Sequence, residues 1–420
     1  MASVDGIGRR RSIDPGYIPS VSFEMYSHER TRCYISNKLD QSIEKIIEKT
    51  GFTKYNIEKK SVCSNGGNYL GLLYEIDIKG KTKIGDKELN LFVKSIIPGE
   101  SDLQIISVRD VYKTELFTYK ELAKIFEELQ EEAKVPIDER FKMVKSYDES
   151  NTEVIIMENV SKKGFVTGHR MDVVSLKFAE MAIIELAKFH AFSFVLKKTR
   201  PDYFEKKIKT RKMPYNIGKQ FRRFVQSITK IAMNNINEDV KARVEKFCEG
   251  ISNEFGRHYN DDEVTRCLCH GDYRPNNILM KIDDGDVSQI IPVDYQLLHY
   301  GCPILDILYF IITSTDKEFR RAHMSHLKDL YHKTMTKFLK YFDIDVNSFY
   351  PRHEFEKDFK NKLDCGLIYA LIYLPFMFAS EDDIPDITKN EMSSLSFKVD
   401  DKYKNRIQEI IEDYIEWGII

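Results

Sequence analysis

The stretch CHGDYRPNNILMKIDDGDVSQIIPVDYQ, residues 269–296, decides the fold of this 420-residue chain. Residues 278–282 and 289–293 are mostly apolar and flank an Asp-Gly turn, which predicts a β-hairpin. Asn277 comes just before the first strand and Asp294 just after the second. Because antiparallel pairing folds the two ends of a hairpin together, the amide and the carboxylate are expected to lie side by side.

The loop that carries Asp272 enters at the same open end, so three oxygen-bearing side chains should meet there. Carboxylate and amide oxygens suit Mg²⁺, which also takes phosphate oxygens from a substrate. The pattern matches kinase chemistry, in which one aspartate accepts a proton while an asparagine five residues later and a further aspartate hold the metal. Asp272, Asn277 and Asp294 are therefore candidate catalytic residues, with Asn277 and Asp294 as candidate magnesium ligands.

Two further features of this stretch constrain its structure. Pro292 cannot donate to a central β-ladder, which predicts that the second strand lies at a sheet edge. Cys267, Cys269 and His270 are an alternative set of metal ligands. Their spacing is tighter than in the usual zinc sites, and no second pair follows, so a zinc site is disfavoured.

The first part of the chain is predicted to be β-rich. Strands are expected at residues 69–78, 89–97, 141–147 and 153–160, and helices at residues 39–50 and 111–132. These elements define an N-terminal nucleotide-binding lobe over residues 37–160. Residues 1–36 show no clear periodicity and are expected to form a flexible tail.

After Gly164 the periodicity becomes mostly helical, which predicts a C-terminal catalytic and substrate lobe over residues 161–420. Helices are expected at about residues 175–198, 217–232, 238–258, 303–314, 317–342, 354–378 and 400–417. The hairpin is the one β interruption. The predicted fold class is therefore α+β, with a β-rich first lobe and a helical second lobe.

A nucleotide would need phosphate contacts from the N-terminal lobe. The glycine-rich segment SNGGNYLG, residues 64–71, allows backbone N–H groups to approach phosphates, although a plain β-turn explains it equally well. The candidate contacts in this segment are Asn65, Gly66, Gly67 and Asn68. Lys94, in the strand expected at residues 89–97, is a candidate phosphate ligand, and a carboxylate from the next helix would hold it. Glu115 is the preferred partner and Glu121 the alternative.

Three other positions carry weaker signals. Glu158 to Val160 end an apolar strand where the two lobes would connect, so their backbone groups could contact adenine. His190 has apolar neighbours on a helix, which favours a buried histidine with one hydrogen bond over a catalytic one. Asp306 opens a helix soon after Asp294, and we expect it to cap that helix or brace a loop.

Composition excludes several classes of function. The 64 basic and 66 acidic residues give a net charge of -2, which argues against nucleic-acid binding by bulk charge. No apolar run approaches the roughly 18 residues of a membrane span, and the N-terminus shows no apolar signal segment. The seven cysteines are scattered and odd in number, which favours a reducing compartment and a cytoplasmic location. No obligate protein partner is evident.

The segments HGDYRPNN, VDYQLLHYG and CPILDILYF, with GGNY upstream and LAKFHAFSF between, resemble the ecdysteroid-kinase-like family. That family belongs to the aminoglycoside and choline phosphotransferase group with a two-lobed protein-kinase-like fold. The likeness runs from about residue 40 to residue 415. The family usually has Leu-Trp after HGD, where this chain has Tyr273-Arg274, and often an acidic residue at the position of Gly67.

The resemblance implies ATP- and Mg²⁺-dependent transfer of a phosphoryl group to a hydroxyl of a small molecule. It implies that Asp272 is the catalytic aspartate, that Asn277 and Asp294 hold magnesium, and that Lys94 paired with Glu115 binds phosphates. Asp306 matches the aspartate that braces the catalytic loop. An ecdysteroid, another hydroxylated steroid or a xenobiotic alcohol is the implied acceptor. The Tyr273-Arg274 departure borders the acceptor hydroxyl and could alter substrate choice.

Three alternatives stay open at this point. A protein kinase would share the site, although the HGD form favours small-molecule kinases. A pseudokinase that binds nucleotide as a binding module would not need the intact Asp272, Asn277 and Asp294. A metal-dependent hydrolase would leave Lys94 and the glycine-rich turn without a role.

Overall fold

The computed structural model describes residues 37–62, 71–96, 105–380, 383 and 395–420. These residues belong to one compact unit, Ser36–Ile420. The tail predicted over residues 1–36 lies outside the described residues, as do four of the predicted nucleotide contacts: Asn65, Gly66, Gly67 and Asn68.

The described part of the chain is β-rich first and helical second, and this confirms the predicted α+β class. The strands are β1 (Phe52–Val62), β2 (Leu72–Thr82), β3 (Gly85–Ser95), β4 (Val154–Glu158), β5 (Phe165–Thr167), β6 (Cys267–Cys269), β7 (Ile278–Asp283), β8 (Asp286–Pro292) and β9 (His299–Gly301). The helices are α1 (Asn37–Thr50), α2 (Val108–Phe117), α3 (Ala123–Glu132), α4 (Leu176–Thr199), α5 (Pro201–Tyr203), α6 (Lys219–Met233), α7 (Glu238–Tyr259), α8 (Pro303–Ser314), α9 (Lys317–Lys340), α10 (Arg352–Met377) and α11 (Lys402–Glu416).

The first four strands form an antiparallel sheet in the order β1-β2-β3-β4. On β2 the buried residues Tyr74, Ile76 and Ile78 alternate with less buried neighbours, which is the period of two that a sheet with one covered face requires. β3 follows β2 after a tight turn and places Lys94 near its end. The helical segment from α2 through a π-helical turn, Thr118–Leu122, to α3 spans the predicted helix at residues 111–132.

The strand predicted at residues 141–147 is wrong. The segment runs beside β4 and pairs with it at the isolated bridge Ser146↔Met157. At the start of the segment the side chain of Gln130 provides a physical reason, because it takes both backbone groups of Phe141. Its Oε1 accepts the Phe141 N–H at 2.7 Å, and its Nε2 donates to the Phe141 carbonyl at 3.2 Å. These are the groups that a ladder partner would otherwise use.

The predicted helices of the second part are present with small shifts at their ends. Every residue of α8 is buried, and its first residue, Pro303, occupies the position where a missing N–H costs nothing. The apolar run at residues 367–378 lies mostly within α10 and is largely buried, as its composition predicts. Among the described helices, none has the length and apolar character needed to cross a membrane.

Gly366 on α10 is a point of close approach between helices. A Cβ at this position would lie 2.1 Å from the Tyr414 hydroxyl and 2.9 Å from Cγ1 of Ile312. We expect Gly366→Ala to lower the free energy of unfolding by about 1–3 kcal/mol, measured by denaturant titration, because overpacking forces the neighbours to shift.

The matched control is Gly250→Ala on α7, where the added Cβ would meet only Cγ of Glu254, at 4.0 Å. That change should raise the free energy of unfolding by about 0.5–1 kcal/mol, since alanine has the higher helix propensity. Equal effects of the two substitutions would show that the α10 contact is not tight.

Candidate active site

The hairpin in the decisive stretch forms with a tighter turn than expected. β7 and β8 pair antiparallel, and the loop expected over residues 283–288 is a two-residue turn. Asp284 has a φ of 53° and Gly285 a φ of 85°, the left-handed backbone that such a turn requires. β8 lies at the edge of the sheet β5-β7-β8, as Pro292 predicts.

The open end of the hairpin brings Asn277 and the Asp294 segment together. The N–H of Val293 donates to the carbonyl of Asn277 at 2.8 Å, and Nε2 of His270 lies 3.0 Å from the Val293 carbonyl. Burial lowers the pKa of His270, so the ring is neutral, and its Nδ1 accepts the N–H of Asp272 at 3.3 Å. The histidine therefore ties the Asp272 loop to the hairpin.

Asp306 holds the start of that loop. Its Oδ2 accepts the N–H of His270 at 2.6 Å, and its Oδ1 accepts the N–H of Gly271 at 2.9 Å. His190 Nε2 lies 3.0 Å from the same Oδ2, and His190 Nδ1 lies 2.7 Å from the Tyr331 hydroxyl. Although burial opposes ionisation, the His190 hydrogen bond holds the pKa of Asp306 below its usual value. His190 is thus a buried histidine with two partners rather than one.

The Asp272 carboxylate receives hydrogen bonds on both oxygens. The Tyr309 hydroxyl donates to Oδ1 at 2.7 Å, and Nδ2 of Asn277 donates to Oδ2 at 2.8 Å. Nε of Arg274 lies 3.2 Å from the carboxylate. These donors fix the orientation of Asp272, and any hydroxyl that donates to it must approach among them.

The orientation of the Asn277 amide determines which of its atoms is available to a metal. Nδ2 also donates to the backbone carbonyl of Asp272 at 2.9 Å, so both of its hydrogens have acceptors on that residue. The amide oxygen remains as the ligand atom, and the Asp294 carboxylate lies at the same end of the hairpin. An amide oxygen with a carboxylate is a donor set that fits Mg²⁺.

Lys94 contacts two carboxylates from distant parts of the chain. Its Nζ lies 2.8 Å from Oδ1 of Asp294 and 3.0 Å from Oε2 of Glu115. The side chains of Lys94 and Glu115 are buried, whereas that of Asp294 is 22 % exposed. The structure therefore pairs Lys94 with Glu115, and no contact of Lys94 with the alternative partner Glu121 is observed among the described residues.

The ionisation of this cluster follows from burial and charge. Burial disfavours the charged form of Lys94, but attraction to Asp294 and Glu115 outweighs it and raises the pKa. Burial raises the pKa of Glu115 to about 7, and repulsion from Asp294 acts in the same direction. The pKa of Asp294 is lowered, because Lys94 outweighs the effect of burial. Of the two carboxylates beside Lys94, Asp294 is therefore the one that is firmly ionised.

Asp294 also has an unusual backbone. Its φ is 67°, a left-handed conformation that is uncommon for residues other than glycine, and its N–H donates to the Tyr119 hydroxyl at 3.3 Å. Tyr119 lies in the π-helical turn after α2, one turn beyond Glu115. The same helical segment therefore contacts both Lys94 and the backbone of Asp294. Such π turns often occur at functional sites.

A cavity of about 500 Å³ opens beside these residues. Apolar side chains from the sheet and from β7 cover much of it, including Leu73, Phe92 and Leu279. Lys94, Glu115, Glu158, Val160, Asn277 and Asp294 all line it. The Glu158 carboxylate pairs with Lys163 at 2.7 Å. The volume and the mixture of apolar walls with a charged end suit a nucleotide-sized ligand.

The alternative metal site at Cys267 and Cys269 has poor ligands. The histidine with a ring nitrogen within 4.8 Å of both sulfur atoms is His190 rather than His270. Both ring nitrogens of His190 already have partners, Asp306 and Tyr331. Burial raises the pKa of both thiols, so they remain protonated and bind metals weakly.

Sequence reasoning did not single out Tyr309 or Tyr119 as site residues. Tyr309 follows Asp306 by three positions on α8, so the two share a helix face, and this spacing is the signal that could have identified it. Tyr119 follows Glu115 by four positions, but the π turn that directs it to Asp294 has no clear sequence signature.

The comparisons with known proteins place the chain in a family. The model of the ecdysteroid kinase-like family matches residues 65–344, two thirds of the chain. This chain belongs to the ecdysteroid kinase-like family. A search of curated proteins found no match.

Solved structures of several small-molecule kinases are also similar to this chain. A Plasmodium vivax ethanolamine kinase is 15 % identical, over 81 % of this chain and 82 % of that one, with a TM-score of 0.36. A glucosamine kinase in complex with glucosamine, ADP and inorganic phosphate is 10 % identical, over 83 % and 81 %, with a TM-score of 0.41. The GDP complex of aminoglycoside 2'-phosphotransferase-IIIa is 10 % identical, over 79 % and 99 %, with a TM-score of 0.35.

Asp306→Asn tests the support of the loop that carries Asp272. The amide offers one acceptor oxygen in place of two, so a buried N–H of His270 or Gly271 loses its partner. We expect the free energy of unfolding to fall by about 2–4 kcal/mol in denaturant titrations. Asp401→Asn removes an exposed carboxylate and should change it by less than about 0.5 kcal/mol. A loss no larger than in this control would mean that Asp306 does not brace the loop.

Proposed function

We propose that this protein is an ATP- and Mg²⁺-dependent kinase that transfers the γ-phosphoryl group to a hydroxyl of a small molecule. Membership of the ecdysteroid kinase-like family supports a small-molecule phosphotransferase. The observation that carries the proposal is the convergence of Lys94, Asn277 and Asp294 on one cavity, with Asp272 hydrogen-bonded to Asn277. The nucleotide would lie between an N-terminal lobe, residues 37–160, and a C-terminal lobe, residues 161–420.

The proposed roles follow from charge and position. Lys94, held by Glu115, would contact the α- and β-phosphates, and backbone groups of Glu158 and Val160 would contact adenine. Asp272 would orient the acceptor hydroxyl and take its proton as the new O–P bond forms and the bond to ADP breaks. Mg²⁺, held by Asn277 and Asp294, would neutralise charge on the phosphates.

The acceptor in this proposal is an ecdysteroid or another hydroxylated steroid or xenobiotic alcohol, as the family suggests. A cytoplasmic location is part of the proposal, since the five described cysteines are unpaired. A screen of hydroxyl compounds for ADP release, with mass spectrometry of the product, would identify the acceptor. Nucleotide binding without transfer to any compound would favour a pseudokinase, and transfer to peptides alone would favour a protein kinase.

Asp272→Asn tests the proposed base. The amide cannot accept the proton, so turnover should fall by at least about 10²-fold, while nucleotide affinity stays near that of the wild type. Asp284→Asn, in the exposed turn of the β7–β8 hairpin, keeps the left-handed backbone that asparagine tolerates and should retain turnover. Wild-type turnover by Asp272→Asn would remove this residue from the mechanism.

Lys94→Met tests the proposed phosphate contact. We expect ATP affinity, measured by calorimetry, to fall at least about tenfold, because a charge-assisted contact is lost. The substitution also leaves Glu115 and Asp294 without their buried partner, which should cost about 3–5 kcal/mol of stability. The double variant Lys94→Met with Glu115→Gln should recover part of that stability but not the ATP affinity.

The exposed Lys81 on β2 provides the control for this series, and Lys81→Met should leave both quantities unchanged. Recovery of ATP affinity in the double variant would indicate that Lys94 acts through stability rather than through the nucleotide.

A further inference from the structure

The turn between β2 and β3 carries an isoleucine at its apex. Lys83 and Ile84 form the two-residue turn that joins Thr82 to Gly85, the last pair of the ladder. Ile84 is 93 % exposed, the highest exposure of any large apolar side chain among the described residues. Such turns usually take glycine, asparagine or aspartate, and an isoleucine there adds nothing to a core.

Two aromatic side chains on β1 lie near this turn. Phe52 is paired with Thr82 in the ladder, and its ring contacts that of Tyr55 edge-on, with centroids 6.3 Å apart. Tyr55 is 48 % exposed and is paired with Gly80, which has no side chain to cover it. Because a strand rises about 3.3 Å per residue, Tyr55 lies roughly 7 Å behind the turn. Apolar groups are thus collected at one end of the sheet.

Four lysines lie among these apolar groups. Lys54, Lys81, Lys83 and Lys87 are all exposed, and none of them forms an ion pair with another described residue. Lys54 and Lys81 stand directly opposite each other on neighbouring strands, an arrangement of like charges that destabilises a sheet. The sequence therefore accepts a local cost in stability to place positive charge here. We call this group of residues the sheet tip: Phe52, Lys54, Tyr55, Lys81, Lys83, Ile84 and Lys87.

The acidic residues near the sheet tip do not cancel its charge. Lys54, Lys79 and Lys81 line an open depression of about 610 Å³ together with Asp86 and Glu88. Lys79 pairs with Glu88 at 3.2 Å, so these two neutralise each other. Among the described lining residues, Asp86 alone then stands against two lysines, before the other two lysines of the sheet tip are counted. The depression is open and wide enough for a phosphate-bearing headgroup.

The sheet tip has a fixed shape and lies far from the candidate active site. The Thr82 hydroxyl donates to the Gly85 carbonyl at 2.9 Å and accepts the N–H of Ile84 at 3.3 Å. Gly85 begins β3, and Lys94 lies near the other end of the same strand. An extended strand of this length places the two residues roughly 30 Å apart. A surface in contact with the sheet tip therefore need not cover the nucleotide cavity.

We propose that the sheet tip docks on the surface of an anionic phospholipid membrane, with Ile84 inserted towards the acyl chains and the lysines against the headgroups. Interfacial binding draws on buried apolar area and on attraction to anionic lipid, and the sheet tip offers both. Tyr55, set back from Ile84, is of a residue type that collects at membrane–water interfaces. The protein would lie on the membrane rather than span it. This proposal does not depend on the proposed function.

The geometry favours a membrane over other anionic partners. A nucleic acid or an acidic peptide would contact the lysines but would leave the apex Ile84 in water. The rings of Phe52 and Tyr55 pack edge-on against each other, whereas single-stranded nucleic acids are bound by aromatic rings whose faces are free for stacking. A bilayer buries an apolar apex and meets the surrounding positive charge at the same time.

The test measures co-sedimentation of the full-length protein with vesicles. Vesicles of phosphatidylcholine with phosphatidylserine are anionic, and vesicles of phosphatidylcholine alone are the neutral comparison. The wild type should bind the anionic vesicles at least about tenfold more tightly, and this affinity should fall as salt is raised. Ile84→Ser keeps every charge and should weaken binding at least about threefold. The double variant Lys83→Gln with Lys87→Gln should weaken it at least about tenfold.

Each variant has a matched control elsewhere on the surface. Ile137→Ser removes another isoleucine, which is 76 % exposed. The double variant Lys402→Gln with Lys404→Gln removes the same charge from exposed positions of α11. Both controls should bind vesicles like the wild type. Since every substituted side chain is exposed, all variants should keep the denaturant midpoint of the wild type.

Insertion of the apex is measured separately by fluorescence. Ile84→Trp places an indole at the apex, and its emission should shift to shorter wavelength with anionic vesicles and be quenched by brominated lipid. The natural Trp417, at the end of α11, should show neither change in the wild type.

Several results would overturn the proposal: a wild type that fails to sediment with anionic vesicles, an Ile84→Ser variant that binds like the wild type, or a lysine variant that matches its control. Binding to single-stranded RNA without binding to vesicles would also reject it. ATP affinity, measured by calorimetry, should be the same in all variants of the sheet tip. Failure of vesicle binding would therefore leave the proposed function untouched, and an inactive protein that still binds vesicles would leave the docking proposal intact.

Discussion

The ion cluster at Lys94 is the constraint on which the site depends. One ammonium lies within 3.0 Å of carboxylates from α2 and from the end of the hairpin, in surroundings where unpaired charges are costly. Burial, reinforced by repulsion from Asp294, raises the pKa of Glu115 to about 7, and with both carboxylates ionised the cluster carries a net negative charge. A bound cation beside Asp294 would relieve it. The structure therefore joins the sheet to the helical part with a group of charges that is suited to a divalent ion.

Much of the fold could be predicted from local sequence patterns. The hairpin was predictable because an Asp-Gly turn and flanking apolar segments specify it locally, and α8 was predictable because Pro303 marks its start. The missed features depend on tertiary contacts. The segment at residues 141–147 has the composition of a strand, but the side chain of Gln130 occupies both backbone groups of its first residue, Phe141. The π turn after α2 is likewise a consequence of packing rather than of propensity.

The candidate site was predictable where spacing fixes geometry. Asp272 and Asn277 lie on one short loop, so their contact follows from five residues of chain. The pairing of Lys94 with Asp294 spans 200 residues and could be inferred only from a known site pattern. Tyr309 and Arg274 were not assigned contacts with Asp272, because the sequence does not reveal which side chains on α8 and in the loop turn towards it. Tyr309 and Arg274 both donate hydrogen bonds to the Asp272 carboxylate, and they define its immediate surroundings.

The most direct measurement is a crystal structure with ADP and Mn²⁺ in place of Mg²⁺, in which anomalous scattering locates the ion. Our account predicts a manganese peak within coordination distance of the Asn277 amide oxygen and the Asp294 carboxylate, with the phosphates beside Lys94. A structure in which the nucleotide binds but the manganese lies elsewhere, or in which the nucleotide is far from Lys94, would contradict it.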